Sequence, residues 1–182
     1  MSKTLMFWLS ILLIVLLVMT TMFCGCDESV YNTYSLKHEG IGFSFEYPTY
    51  YHMILKYTPN NPNATIGIRF APRKFLWFTE DPVFGVNIGS RLATHVDPVT
   101  AAERAGSLEQ RLERTSLIVA DVPAEMVIYS SKDFNDTPSV NIGVFLEADG
   151  RLWHIFMYSS VSKAEEAKQD FEHIIHTFQI LP

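Results

Sequence analysis

Hydrophobic and polar positions along this chain fall into blocks of different period, and each period predicts an element. From Gly40 onward, Phe43, Phe45 and Tyr47 alternate with Ser44 and Glu46 up to Pro48. That is a half-buried strand, ended by a residue with no N–H to give to a ladder. After the turn residues Asn60-Asn61-Pro62-Asn63, a second alternating strand puts Ile66, Ile68 and Phe70 on one face and Arg69 on the other, and Val83 to Ser90 reads as a third. The period then lengthens. Asp97 is placed to cap a helix, Pro98 suits its first turn, and Ala102, Ala105, Leu108 and Leu112 recur at helical spacing, with Glu103, Arg104, Arg111 and Glu113 on the opposite face.

Three more strands follow at Ala124–Ser131, Ser139–Ala148 and Arg151–Ser159. The last two are joined by Asp149-Gly150, a pair suited to the positive φ that both central positions of a two-residue hairpin turn demand. A C-terminal helix is signalled by the capping-box pair Ser162 and Glu165 and by the stripe Phe171, Ile174, Ile175 and Phe178. Strands, helix, strands, helix predicts an α+β fold: an antiparallel β-sheet with helices packed on it, over residues 39–182.

The block before this domain has no such period. One positive charge, Lys3, leads an apolar stretch from Leu5 to Met19, and the stretch ends in Phe23-Cys24-Gly25-Cys26. That order matches a lipoprotein signal: residues 1–25 are the signal peptide and Cys26 the lipidation site, with small Gly25 just before it and apolar Phe23 three before it. Cys24 fails the same test, because bulky Phe23 precedes it. Leu5 to Phe23 is also just long enough to span a bilayer, so a signal kept as an anchor is the alternative. Either way the domain is exported to the extracytoplasmic face of the cell membrane. Residues 26–38 are polar and read as a tether.

Charge narrows the partners. Removing residues 1–25 takes Lys3 and no acid from 14 basic and 20 acidic side chains, which leaves a net charge of −7. Nucleic acid, bound through clustered Lys and Arg, is excluded, and acyl chains rather than a basic patch must hold the membrane. No cysteine follows Cys26, so the domain has no disulfide, thiolate metal site or cysteine nucleophile.

Candidate chemistry is sparse. His173 and His176, one turn apart and off the apolar stripe of their helix, make a solvent-facing pair that falls short of a metal site's ligand count. His154, alternating with Leu152, Phe156 and Tyr158, reads as a half-buried histidine with one hydrogen bond. No nucleophile, base and orienter assemble from the sequence, so the expectation is no catalytic residue, no cofactor, no metal and no enzyme. Two aromatic clusters remain as interaction candidates. Tyr50 and Tyr51 follow a strand end, and Phe75-Leu76-Trp77-Phe78 puts four large apolar residues in a row. One strand face cannot bury all four, and a surplus left outside marks a contact site.

Four stretches together resemble the PsbP-like superfamily: Gly42-Phe43-Ser44-Phe45-Glu46-Tyr47-Pro48, Val122-Pro123-Ala124, Gly150-Arg151-Leu152-Trp153-His154-Ile155, and Phe171 to Phe178. The resemblance covers most of residues 34 to 180. It departs from the family's pattern at Tyr50 and Tyr51, where a Trp is usual, and at Asp121, where many members have Gly. It implies an αβα sandwich that serves as a non-catalytic scaffold for binding. The expected function is therefore a lipid-anchored accessory module for another envelope protein. The second expectation is a carrier of a small apolar ligand between sheet and helix.

Overall fold

A computed structural model describes residues 30–38, 40–58, 65–72, 82–89, 97–107, 110–132 and 136–182, without the side chains of 105–107. Residues Tyr31–Pro182 form one compact unit. Ten strands run in chain order as β1 (Tyr31–His38), β2 (Ile41–Pro48), β3 (Tyr51–Tyr57), β4 (Ile66–Pro72), β5 (Val83–Ile88), β6 (Arg111–Val119), β7 (Val122–Lys132), β8 (Pro138–Ala148), β9 (Arg151–Ser160) and β10 (Gln179–Leu181). Among the described residues two α-helices, α1 (Pro98–Ser107) and α2 (Ala164–Thr177), accompany the strands, and a 3₁₀ turn, Val161–Lys163, leads into α2.

The strands make two sheets, a small one ordered β1-β2-β10 and a large one ordered β3-β4-β5-β9-β8-β7-β6. Every pairing is antiparallel. The alternation predicted for β9 is strict, with Arg151, Trp153, Ile155, Met157 and Ser159 buried and the residues between them half-buried. Its inner side chains meet Phe43 and Phe45 of the small sheet and Phe171, Ile174 and Ile175 of α2 in one apolar core. Aromatic rings fill that core both edge to face and stacked: Trp153 stands edge-on to Phe43 at 5.7 Å and to Phe178 at 6.0 Å, while Phe70 lies parallel to Phe84 at 4.7 Å. On the outer face of the large sheet, Ala101 and Ala102 of α1 pack with Val127 and Phe145, and Tyr129 and Leu152 border the contact. The small residues of α1 let its backbone approach the sheet closely. The large sheet is thus covered by helix on both sides.

Several expectations fail for identifiable reasons. Residues 31–38, read as tether, are strand β1, paired along its whole length with β2. Only Leu36 of β1 is buried, because an edge strand with one neighbour needs few apolar side chains. The first helix stops at Ser107, just after Gly106, and Leu112 belongs to strand β6, not to a helix. The β6–β7 hairpin turns through Ala120 (φ 49°) and Asp121 (φ 63°), positive angles carried without glycine. In contrast, the hairpin at Asp149 and Gly150 turns as its sequence predicts, with φ of 55° and 65°. Ser162 makes no capping box, because α2 begins at Ala164 with Lys163 at the cap position, and the Ser162 hydroxyl bonds to Ser160 instead.

Candidate interaction surfaces

Cys26 and Phe75, Leu76, Trp77 and Phe78 lie outside the described residues. The two tyrosines are described and part company. Tyr51, the first residue of β3, is 2% exposed and sets its ring edge-on against Phe84 at 5.0 Å, so it belongs to the core and is not free to contact a partner. Tyr50, in the turn before it, is 39% exposed. Both hydroxyls donate to Oδ2 of Asp170 on α2, with Tyr51 at 3.3 Å, which pins the turn to the helix. Burial pushes the pKa of both phenols up, and their shared carboxylate adds to the rise. Burial also raises Asp170, against the lowering effect of the two hydroxyls it accepts.

His173 corrects the reading of a solvent-facing histidine pair. Its ring stacks on Tyr31 of β1 at 3.7 Å, and its Nε2 lies 3.1 Å from Oε2 of Glu46 on β2, while His176 stands exposed. Thr177 reinforces this junction, since its hydroxyl accepts from the N–H of Glu46 and donates to the carbonyl of His173. These contacts fasten α2 across the small sheet. No three His, Cys, Asp or Glu side chains among the described residues come together as a ligand set.

His154 sits on the outer face of β9, stacked parallel on Phe145 at 4.3 Å. Its Nε2 is buried with no hydrogen-bond partner among the described residues. Burial pushes its pKa down to about 4, so the ring is neutral at physiological pH.

Exposed apolar residues collect at the two edges of the large sheet. At one edge, β3 exposes Met53, Ile54, Leu55 and Tyr57. At the other, β6 exposes Leu112 (54%) and Ile118 (65%), and Val99 of α1 is exposed beside it. Between the start of α1 and the β6–β7 hairpin lies an open, largely apolar cleft of about 390 Å³, lined among others by Pro98, Val99, Ser116, Ile118, Pro123 and Glu125. Its volume falls within the range of small-ligand sites. A polar network closes one side. Arg114 reaches Glu125 through Nε at 3.0 Å and Glu103 of α1 through Nη1 at 2.9 Å, and Ser116 donates to Glu125 at 2.7 Å. One arginine offsets one of the two carboxylate charges, and Asp97 also lines the cleft, so its apolar walls carry a net negative rim. The sequence reading missed this site. Its one signal was the run Leu117-Ile118-Val119, too apolar for the polar side of a helix.

A three-stranded and a seven-stranded antiparallel sheet, with one helix packed by its apolar side against the core and one on the outer face, define an α+β fold of PsbP-like type. The solved structures bear this out. Cyanobacterial PsbP (CyanoP) from Synechocystis sp. PCC 6803 superposes with a TM-score of 0.58 at 12% identity over 87% of this chain and 97% of that one. LpqN, involved in cell envelope biogenesis of Mycobacterium tuberculosis, superposes with a TM-score of 0.57 at 8% identity over 84% of this chain and 92% of that one. No protein-family model matches the sequence, and no curated protein matches it.

Proposed function

We propose that this protein is a lipid-anchored accessory module of the cell envelope, held on the extracytoplasmic face of a membrane through Cys26 and binding another envelope protein without catalysing a reaction. One observation carries the reading: the domain starts at Tyr31, five residues beyond Cys26. An extended segment of that length reaches at most about 18 Å. The acylated chain therefore holds the domain against the lipid headgroups, and its exposed apolar edges are presented to whatever protein shares that surface. The likeness of fold to LpqN, a protein involved in envelope biogenesis, agrees with this placement.

The carrier reading rests on the cleft between α1 and β6–β7. Its volume suits a small apolar molecule, but it opens to solvent along β6, a shape better matched to a protein side chain than to a cargo that must be shielded. Metabolic labelling with palmitate tests the anchor. Label is expected to persist in Cys24→Ser and to vanish in Cys26→Ser, with the precursor left uncleaved. Label that follows Cys24 instead would overturn the assignment.

A further inference from the structure

Strand β6 ends the large sheet, and among the described residues nothing pairs with its outer side. An unpaired edge with exposed apolar side chains is a template for another strand. Its hydrogen-bonding phase follows from the hairpin. Val119 and Val122 close the two-residue turn and exchange both bonds, so pairing toward β7 alternates back through Leu117, Thr115 and Glu113. Arg114, Ser116 and Ile118 therefore turn their N–H and C=O groups outward. Pro123, which has no N–H, stands opposite Ile118, at a position where none is needed.

We propose that this edge pairs with the same edge of a second copy, antiparallel and two-fold symmetric about Thr115. That register sets Arg114 opposite the partner's Ser116, both in the outward phase, so the two exchange backbone bonds on each side of the axis. It also sets Leu112 opposite the partner's Ile118, matching the two exposed apolar residues of the strand. Leu112 is the extra residue of a bulge, where Arg111 and Leu112 together face Tyr129.

Neighbouring registers lose these matches. Centring on Arg114 sets Leu112 against the partner's Ser116 and Ile118 against its Gln110, so the two exposed apolar residues no longer meet. Centring on Ser116 sets Arg114 against Ile118 and carries Leu112 past the end of the partner's strand, opposite the turn residue Ala120. In the chosen register the partner's Leu112 comes to lie beside Ile118, at the mouth of the cleft lined by Val99 and Pro123, so the second copy completes an apolar site that one copy leaves open. Arg114 is held by Glu103 and Glu125 of its own copy, and this triad brings one net negative charge to each side of the axis. The contact is isologous and closed, which limits assembly to a pair and prevents a fibre. It stands on the strand edge alone and holds whether or not Cys26 carries lipid.

Cysteine cross-linking of the full chain in membranes of expressing cells tests the register. Two Thr115 residues would face each other as a non-hydrogen-bonded pair with Cα atoms about 4.5 Å apart, within disulfide range, whereas the Cα atoms of two Glu113 residues would lie roughly 14 Å apart. Under mild oxidation Thr115→Cys is expected to give a reducible dimer. Glu113→Cys and the unsubstituted chain, which controls for Cys24 and Cys26, are expected to give at least tenfold less. Adding Ile118→Lys to Thr115→Cys should remove the dimer, since it sets a charge against the partner's Leu112. Protease resistance of each variant confirms that it has folded. A folded Thr115→Cys chain that stays monomeric, equal cross-linking from Glu113→Cys, a dimer indifferent to Ile118→Lys, or a mixed disulfide with another protein in place of the dimer would each overturn the proposal.

Discussion

The two faces of the large sheet are built to different rules, and β9 carries both. Its inward residues Trp153, Ile155 and Met157 are at most 1% exposed and interlock with rings from the small sheet and α2. Its outward residues His154, Phe156 and Tyr158 are half-buried. They lie among Gly143 and Gly85, with Arg69 5.6 Å above the Phe156 ring. The inner face is apolar and continuous along Trp153, Ile155 and Met157, with buried Arg151 and Ser159 at its ends; the outer face is patchy, polar in places and covered over part of its width by a short helix. Stability therefore resides inside, and the features open to partners lie outside and at the edges.

The largest effect that could break this contrast comes from the inner face. Trp153 has no exposed surface, stands edge-on against two phenylalanines and donates its indole N–H to the carbonyl of Ala148 at 3.2 Å. Trp153→Ala is expected to cost about 3–5 kcal/mol by loss of transfer energy and creation of a cavity. Denaturant unfolding reads this. A loss below about 1 kcal/mol would mean that the inner face is not the seat of stability.

How much of this was legible in the sequence follows the same division. Strands β2, β4, β8 and β9 bury several alternate side chains and announced themselves. Strands β1, β3 and β6 lie at sheet edges and fully bury only Leu36, Tyr51 and Val119 respectively, so their periods were faint or absent. Ala120 and Asp121 turn the β6–β7 hairpin without the glycine that marks such a turn, and Leu108 and Leu112 continue the helical spacing of Ala102 and Ala105, so the start of β6 reads as helix. Tyr50 and Tyr51 differ by one position in a turn, and a pattern of aromatic residues does not say which of two neighbours faces inward. The cleft was not legible, because it is formed by a helix start and a hairpin whose meeting is a tertiary fact.

The outer face has its own, smaller signature in pH. His154 is held neutral by burial, with a pKa pushed down to about 4, against about 6.5 in an unfolded chain. The unfolded state therefore binds the proton first as pH falls. The stability at stake is intact above about pH 6.5 and is lost progressively as pH drops through 4, amounting to about 3 kcal/mol at the low end. Urea midpoints measured from pH 7 to pH 4 should fall in the native chain and fall less in His154→Phe, whose ring stacks on Phe145 without titrating. Identical slopes in the two would place the pH dependence elsewhere.

The smallest effect sharpens the comparison by asking how tightly the outer face is packed where no helix need cover it. Gly85 on β5 stands opposite Phe156, and the Phe156 ring occupies the space a side chain would take. A Cβ there would come 2.5 Å from the carbonyl oxygen of Ile68 and 2.8 Å from Cζ of Phe156. The ring could swing aside, but the carbonyl belongs to the paired strand β4 and cannot move without straining the ladder. Gly85→Ala is thus expected to destabilise by about 1–3 kcal/mol, the usual range for overpacking, although alanine suits a strand no worse than glycine does. Thermal melting compared with Gly150→Ala separates packing from backbone strain, because Gly150 has a φ of 65° and open space around its Cβ position. If Gly85→Ala left the melting temperature unchanged, the outer face would be looser than its ring contacts indicate, and the division between a structural inside and a permissive outside would be wider than drawn.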